Sequence, residues 1–314
     1  MLRTRNIYSR GSTKKFRISR SKVDDFINCP RCFWLDRVKG VDRTRTPTFA
    51  INNAVDRLLK NEFDHYRDKQ TKHPIFTEKN LNYIPFEDIR LNNWRENFKG
   101  IEYYDKDLNL TFTGAIDDLW LNEDTNKVIV VDYKATSKEG EIVISDGGWW
   151  PQYKRQMEFY QFLLRMNGME VEDYGFFLYV NGVKEGFFDS KVKFDTYLIK
   201  YEGNTSWIPG TLKKLKATLE NENIPDSSKN CDHCRYFDDR QDSFRKLNYG
   251  QNLEFEFIHH KLYVYDNLPN EIEKFEITDG FNLLLVNLHK MINESMGFRI
   301  GIGTVVTHPD IIID

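Results

Sequence analysis

Gly114-Ala115-Ile116-Asp117, followed by Val131-Asp132-Tyr133-Lys134, is the stretch that decides the fold. Residues 108–121 and 127–135 are rich in Val, Ile, Thr and aromatics, and the polar segment Asn122-Glu123-Asp124-Thr125-Asn126 between them predicts a hairpin. A turn centred near Asp124–Thr125 sets Asp117 opposite Asp132. Alternation along the strand puts Asp132 and Lys134 on one face. Asp117 joins them from across the ladder, at the ~4.5–5.5 Å Cβ spacing of an opposed pair. Two carboxylates held that close repel, so burying them calls for a cation. A divalent metal, with the Lys134 ammonium beside it, is the simplest compensation. Solvated charges on two strand ends are the plain alternative. Against it, Val128-Ile129-Val130-Val131 is a continuous apolar run, as in a strand buried on both faces.

The chain of 314 residues suffices for one large domain plus an appendage. At 40% hydrophobic and 30% charged residues it reads as globular rather than disordered. It shows no membrane-length apolar run and no signal-peptide core after Met1, so a cytoplasmic protein without membrane partners is expected. The net charge of −3 names no partner, but the charge is unevenly spread. Residues 1–22 hold eight Lys and Arg and no acid, whereas acids outnumber bases from Gln251 onward. A basic arm suits a polyanion, although such termini are often solvated tails, and its composition also resembles a transit peptide.

In chain order, residues 1–17 form this arm, 18–240 a principal domain and 241–314 a small α+β appendage. Ser19 or Ser21 caps a helix that begins with Val23, Phe26 and Ile27. A second helix over 51–67 presents Ala54, Val55, Leu58, Leu59 and Phe63 on one face, with Asp56 beside that stripe. Residues 71–100 are loop-rich, with Trp94 and Phe98 expected in the core. A loop over 135–151 carries Trp149 and Trp150 and precedes an amphipathic helix over 152–167, closed by Gly168. Strands over 174–180 and 186–192 form a hairpin about Asn181-Gly182, and a helix over 209–221 follows. The appendage has strands over 253–259, 262–265 and 272–277, a helix over 281–295 and a strand over 298–306; it is a candidate surface for a protein partner.

Gln156 and Tyr160, four residues apart, share a face of the 152–167 helix. On their own they read as partly buried surface residues. An aspartate strand, an Asp-x-Lys strand and a Gln-x-x-x-Tyr helix, in that order, form a specific series. It resembles the RecB-like branch of the PD-(D/E)XK nuclease superfamily, whose GxxD, DxK and QxxxY patterns stand here as Gly114…Asp117, Asp132…Lys134 and Gln156…Tyr160. The resemblance covers roughly residues 17–237. It implies an α/β fold, a restriction-endonuclease-like core with a mixed central sheet flanked by helices. Catalytic roles would fall to Asp117, Asp132, Lys134, Gln156 and Tyr160, and Asp117, Asp132 and the Tyr133 carbonyl would hold Mg²⁺ or Mn²⁺. That branch also takes a histidine ligand from a preceding helix, in an Ala-Val-His-like context. This chain reads Ala54-Val55-Asp56 there, so Asp56 is either a replacement ligand or a solvated helix residue.

All four cysteines lie in two C-x-x-C pairs, Cys29/Cys32 and Cys231/Cys234. A zinc ribbon keeps its pairs about 15–20 residues apart; here nearly the whole core lies between them, so the pattern clasps its two ends. Iron–sulfur relatives of the AddB, exonuclease V and CRISPR-adaptation types resemble this layout, which implies a [4Fe–4S] cluster, with Zn²⁺ as the alternative. Their usual split is one cysteine before the core and three after, whereas this chain divides them two and two and has Asp238-Asp239 where a last cysteine is expected. Disulfides lack the support of an oxidising compartment. His233 reads as a loop residue.

The expected function is a metal-dependent deoxyribonuclease, an exonuclease on single-stranded DNA or DNA ends, serving DNA repair, recombination or CRISPR-type processing. Trp149, Trp150 and Tyr153 are candidates for stacking on bases or for packing, and Lys213, Lys214 and Lys216 for a phosphate track or a solvated face. The alternative is a nucleic-acid-binding or assembly module with an inactive site. A zinc-stabilised structural protein would not account for the five motif residues occurring together.

Overall fold

The computed structural model describes residues 4–43, 50–247, 254–258, 261–265 and 271–276. Contacts divide the chain into the units Met1–Cys231 and Asp232–Asp314. The first opens with β1 (Phe16–Ser19), which passes directly into α1 (Arg20–Asn28) and α2 (Pro30–Trp34). Pro30 starts α2 at a position where its missing N–H costs nothing. A π-helical turn, Leu35–Lys39, ends at Gly40. Next come α3 (Ala50–Asp68), α4 (Pro74–Glu78), β2 (Tyr83–Pro85), α5 (Leu91–Trp94) and β3 (Ile101–Asp105). After them, β4 (Leu110–Gly114), β5 (Asp118–Asn122) and β6 (Lys127–Thr136) lead to α6 (Trp150–Met166). Finally, β7 (Val171–Gly182), β8 (Phe194–Glu202) and α7 (Trp207–Glu220) complete the unit.

The principal sheet has five strands in the order β2-β5-β6-β7-β8, and β6 and β7 are its parallel pair. A parallel pair needs a crossover, and α6 supplies it. The central strand, β6, is covered on both faces, which explains its unbroken apolar run. Ile129, Val131 and Tyr133 pack with Phe63 of α3, Trp120 and Phe176. Val128 and Val130 pack with Met157 and Phe159 of α6 and with Phe177. By alternation Asp132 and Lys134 continue the second series, toward α6.

The predicted single strand over 108–121 is two strands in different sheets. β4 belongs to a three-stranded sheet of order β1-β4-β3, whereas β5 pairs with β6. The switch falls on Ala115–Ile116–Asp117, where the Ile116 amide donates to the Trp94 carbonyl at 3.1 Å. The predicted hairpin partner over 186–192 is loop. Gly182 still pairs with Phe194, so the ladder resumes at β8, and Gly186, Asp189 and Ser190 turn the chain with positive φ. Ala54 and Leu58 of α3 are exposed; Val55 and Phe63 carry its buried stripe.

The N-terminal arm packs on this unit through Tyr8, which is buried edge-on against Phe16 and donates its N–H to the Arg37 carbonyl at 2.7 Å. Arg10 pairs with Glu222 and Arg17 with Glu102, so part of the arm's charge is met within the chain. In the second unit, α8 (Asp232–Leu247) precedes β9 (Glu254–Ile258), β10 (Lys261–Tyr265) and β11 (Glu271–Glu276). These form an antiparallel sheet of order β11-β10-β9. The predicted helix over 281–295 and strand over 298–306 lie outside the described residues. Among the described residues no helix is long and apolar enough to cross a membrane.

Candidate functional site

The β5–β6 ladder pairs Asp118 with Val131, and the same register extended by one residue brings Asp117 opposite Asp132. Asp117 sits where the chain changes sheets, and its Oδ2 accepts the Tyr133 N–H at 2.8 Å. The carboxylate thereby replaces a backbone acceptor that the strand no longer provides. Asp117, Lys134 and Gln156 line a cleft of about 340 Å³, together with Asp56 and Lys60 of α3 and Tyr153 of α6. Asp132 is fully buried and is not among the lining residues, but it pairs with Lys134, which is.

Lys134 pairs with Asp132 and holds its ammonium 4.6 Å from the centre of the Tyr153 ring. Lys60, absent from the sequence-predicted site, bonds Asp56 Oδ2 at 2.9 Å and lies 3.8 Å from Asp117 Oδ1. Its one legible signal was the i,i+4 spacing from Asp56. Trp149 is exposed, but Trp150 is buried against Phe177 and Tyr179, so it is packing and no stacking platform. Of the lysines on α7, Lys213 and Lys214 are exposed, while Lys216 is bound to Glu220 and Tyr8.

Gln156 Nε2 donates to Tyr160 Oη at 3.1 Å. The buried Tyr160 ring lies flat enough on Gly114 that a Cβ there would stand 2.7 Å from its Cε1. Glycine is thus required at the first position of the aspartate motif so that α6 can approach. Gly114→Ala is expected to cost about 1–3 kcal/mol, as overpacking does, and to loosen Tyr160 and Gln156; urea unfolding of the variant measures this.

Sequence reasoning missed a charged network on the other side of the junction. Asp118, fully buried, accepts from Arg67, Arg95, Leu119 N and Tyr133 Oη. Both arginines also bind Asp64. Arg95 Nε donates to the Asp117 carbonyl at 3.0 Å, so the network fixes the backbone of the site. Burial lowers the Arg95 pKa, but Asp118 and Asp64 outweigh it and raise it further above the ordinary value. The available signal was the Asp117-Asp118 pair: adjacent strand residues face opposite ways, so each needs its own cation. Arg95→Leu is expected to cost about 3–5 kcal/mol, the price of breaking a buried ion pair, measured as a shift in denaturation midpoint.

The cleft suits a hard cation. Asp132 is fully buried with the Lys134 ammonium on its Oδ2, and among the described residues its Oδ1 has no partner and Asp117 Oδ1 faces only Lys60, at 3.8 Å. Two neighbouring carboxylates with oxygens left over for a ligand match the chemistry of Mg²⁺ or Mn²⁺. Burial and then the Asp132 charge push Asp117 up from 3.8 to about 6, against Lys134 and Lys60. A raised acid holds its proton more tightly when folded. That stability is fully present below about pH 4 and is lost as pH rises through about 6. A cation must displace this proton. Mn²⁺ affinity is therefore expected to climb about tenfold per pH unit up to about 6 and level off above it. Calorimetric titration over that range checks this, and a flat profile would contradict the role of Asp117.

The four cysteine sulfurs lie within 4.8 Å of one another, all buried, and Cys32 Sγ and Cys231 Sγ are 3.6 Å apart. No disulfide joins any of them. Burial raises the Cys29 pKa, but the backbones of Cys32 and Ser228 and the other thiols outweigh it and bring Cys29 down to about 7. Ready loss of that proton suits a metal ligand. Arg43, anchored to Asp25 at 3.0 Å, adds positive charge beside Cys32 and Cys231.

A mixed sheet, a carboxylate junction with a lysine on the adjoining strand, and a glutamine–tyrosine helix over it define a class of metal-dependent phosphodiesterases. Residues 17–238 match the family model of the PD-(D/E)XK nuclease superfamily, and the chain belongs to that superfamily. Members generally require a divalent metal and act on nucleic acid. No curated protein matches the chain.

Proposed function

We propose that the protein is a Mg²⁺- or Mn²⁺-dependent deoxyribonuclease of the RecB-like branch, acting as an exonuclease on single-stranded DNA or DNA ends. The observation that carries this is the convergence of Asp117, Lys134 and Gln156 on one cleft, with the buried Asp132 carboxylate ion-paired to Lys134. Asp117 and Asp132, with Asp56 and the Tyr133 carbonyl, would hold the cation, which when bound polarises the phosphodiester and lowers the pKa of water. Lys134 places a positive charge where negative charge grows on the phosphorus oxygens. Asp132 and the Tyr153 ring keep that ammonium in position. Gln156, aligned by Tyr160, offers a hydrogen bond toward the phosphate or the lysine. Arg95 holds the backbone of Asp117 at the sheet junction. Among the described residues no histidine lines the cleft.

The cysteine spacing favours Zn²⁺ over [4Fe–4S]. A tetrahedral zinc with bonds of about 2.3 Å sets its sulfurs about 3.8 Å apart, close to the 3.6 Å between Cys32 and Cys231. A cubane cluster separates its thiolates more widely, because each binds a different iron. Four buried thiols suit the reducing cytoplasm.

The test is cleavage of end-labelled single-stranded and duplex DNA with Mn²⁺ or Mg²⁺, beside Lys134→Ala. Cleavage by the parent alone establishes the enzyme, and the product ladder reports end preference. Binding without cleavage would favour the second reading, a nucleic-acid-binding module in which the Asp56–Lys60 pair stands where relatives have a histidine.

A further inference from the structure

Phe98, expected in the core, is 92% exposed. It stands on the short turn after α5, and two residues of that turn, Arg95 and Asn97, line the cleft. The turn is fastened to the motif strand at three points. Arg95 Nε donates to the Asp117 carbonyl and Ile116 N to the Trp94 carbonyl. At its far end Gly100, with φ +69°, fits so closely that a Cβ would stand 2.5 Å from the Gly114 carbonyl oxygen. Hydrogen bonds from Lys99 N to the Glu96 carbonyl and from Gly100 N to the Asn93 carbonyl close it internally. A large apolar ring is thus exposed on a structured turn, one residue from the cleft-lining Asn97, and the cleft's lining carries carboxylates and lysines.

We propose that Phe98 is a base-stacking residue, taking the face of an unpaired nucleobase next to the phosphodiester in the cleft. The inference deepens the nuclease reading and rests on it, because continuity with the cleft selects the ligand. A phosphodiester entering beside Lys134 and Lys60 brings its flanking bases to the rim. An exposed aromatic ring stacks on any base whose face is free. Bases inside a duplex are covered by their neighbours, so the ring discriminates for single strands and frayed ends. The backbone contacts the cations in either case.

The experiment is fluorescence anisotropy of the full chain with fluorescein-labelled oligothymidylate and with a blunt hairpin duplex, using Ca²⁺ to hold off cleavage. Phe98→Ala is expected to weaken single-strand binding on the order of 5- to 150-fold, the range for one base–aromatic stack, and to leave duplex binding and thermal stability unchanged. Phe98→Trp is expected to restore the affinity and to show tryptophan quenching by oligothymidylate beyond that of the parent. Unchanged single-strand affinity in Phe98→Ala, or an equal loss on both probes, overturns the proposal while leaving the nuclease reading intact. Parent protein that binds neither probe overturns both. A parent that self-associates in gel filtration and becomes monomeric on Phe98→Ala also overturns it, in favour of an interface between copies. Selective loss with rescue supports the stack even if the parent proves unable to cleave.

Discussion

Lys134→Met is expected to lower metal-dependent DNA cleavage by about 10²–10³-fold, the usual cost of removing one preorganised stabiliser of transition-state charge. Methionine keeps the length and apolar stem of lysine, so packing against Tyr153 survives and only the cation goes. Asp132, fully buried, then loses its ion-pair partner. Uncompensated buried charge is destabilising, so the metal-free variant should melt below the parent. Mn²⁺ should bind the variant at least as tightly, because it no longer competes with the ammonium. Saturating Mn²⁺ should then draw the two melting temperatures together. This pattern separates a catalytic lysine from a structural one. A variant that cleaves like the parent, or that fails to regain stability with metal, would falsify the assignment.

Removing the metal from the cysteine site is expected to have the largest effect on stability. Structural Zn²⁺ sites contribute roughly 10–16 kcal/mol of apparent binding energy in small domains, and the proposed zinc site would join segments from both ends of the core. Cys231→Ser should therefore yield protein that is insoluble or melts far below the parent, with the zinc content of the soluble fraction near zero. Parent protein should carry one zinc per chain and be colourless. A brown preparation absorbing near ~400 nm, with iron and sulfide bound, would restore the cluster reading and overturn the argument from sulfur spacing.

Local patterning made much of the core legible. The turn at Asp124–Thr125 and the apolar run through Val131 fix the register that sets Asp117 beside Asp132, because alternation and loop length are properties of the segment itself. The helices Ala50–Asp68 and Trp150–Met166 likewise followed from their stripes. What escaped depends on partners distant in sequence. No local feature of residues 108–121 shows that the Trp94 carbonyl will take the Ile116 amide and divide the strand. Leu58 and Phe98 look like core residues, but no described residue covers them and both are exposed. Gly114 reads as a motif letter, and its reason is the Tyr160 ring on another element. The Arg67–Arg95–Asp118 network was hidden because sequence shows that a buried aspartate needs cations but not which ones reach it.

The cysteine clasp also has a history in time. Cys32 and Cys231 stand 199 residues apart. At a synthesis rate of about 5–20 residues per second, the first pair waits about 10–40 s before the second is made. Throughout that interval the emerging chain has two of the four cysteines and half of their cluster. The nuclease core can collapse around its sheet during synthesis, but the lock on its ends closes only once nearly all of it has been made.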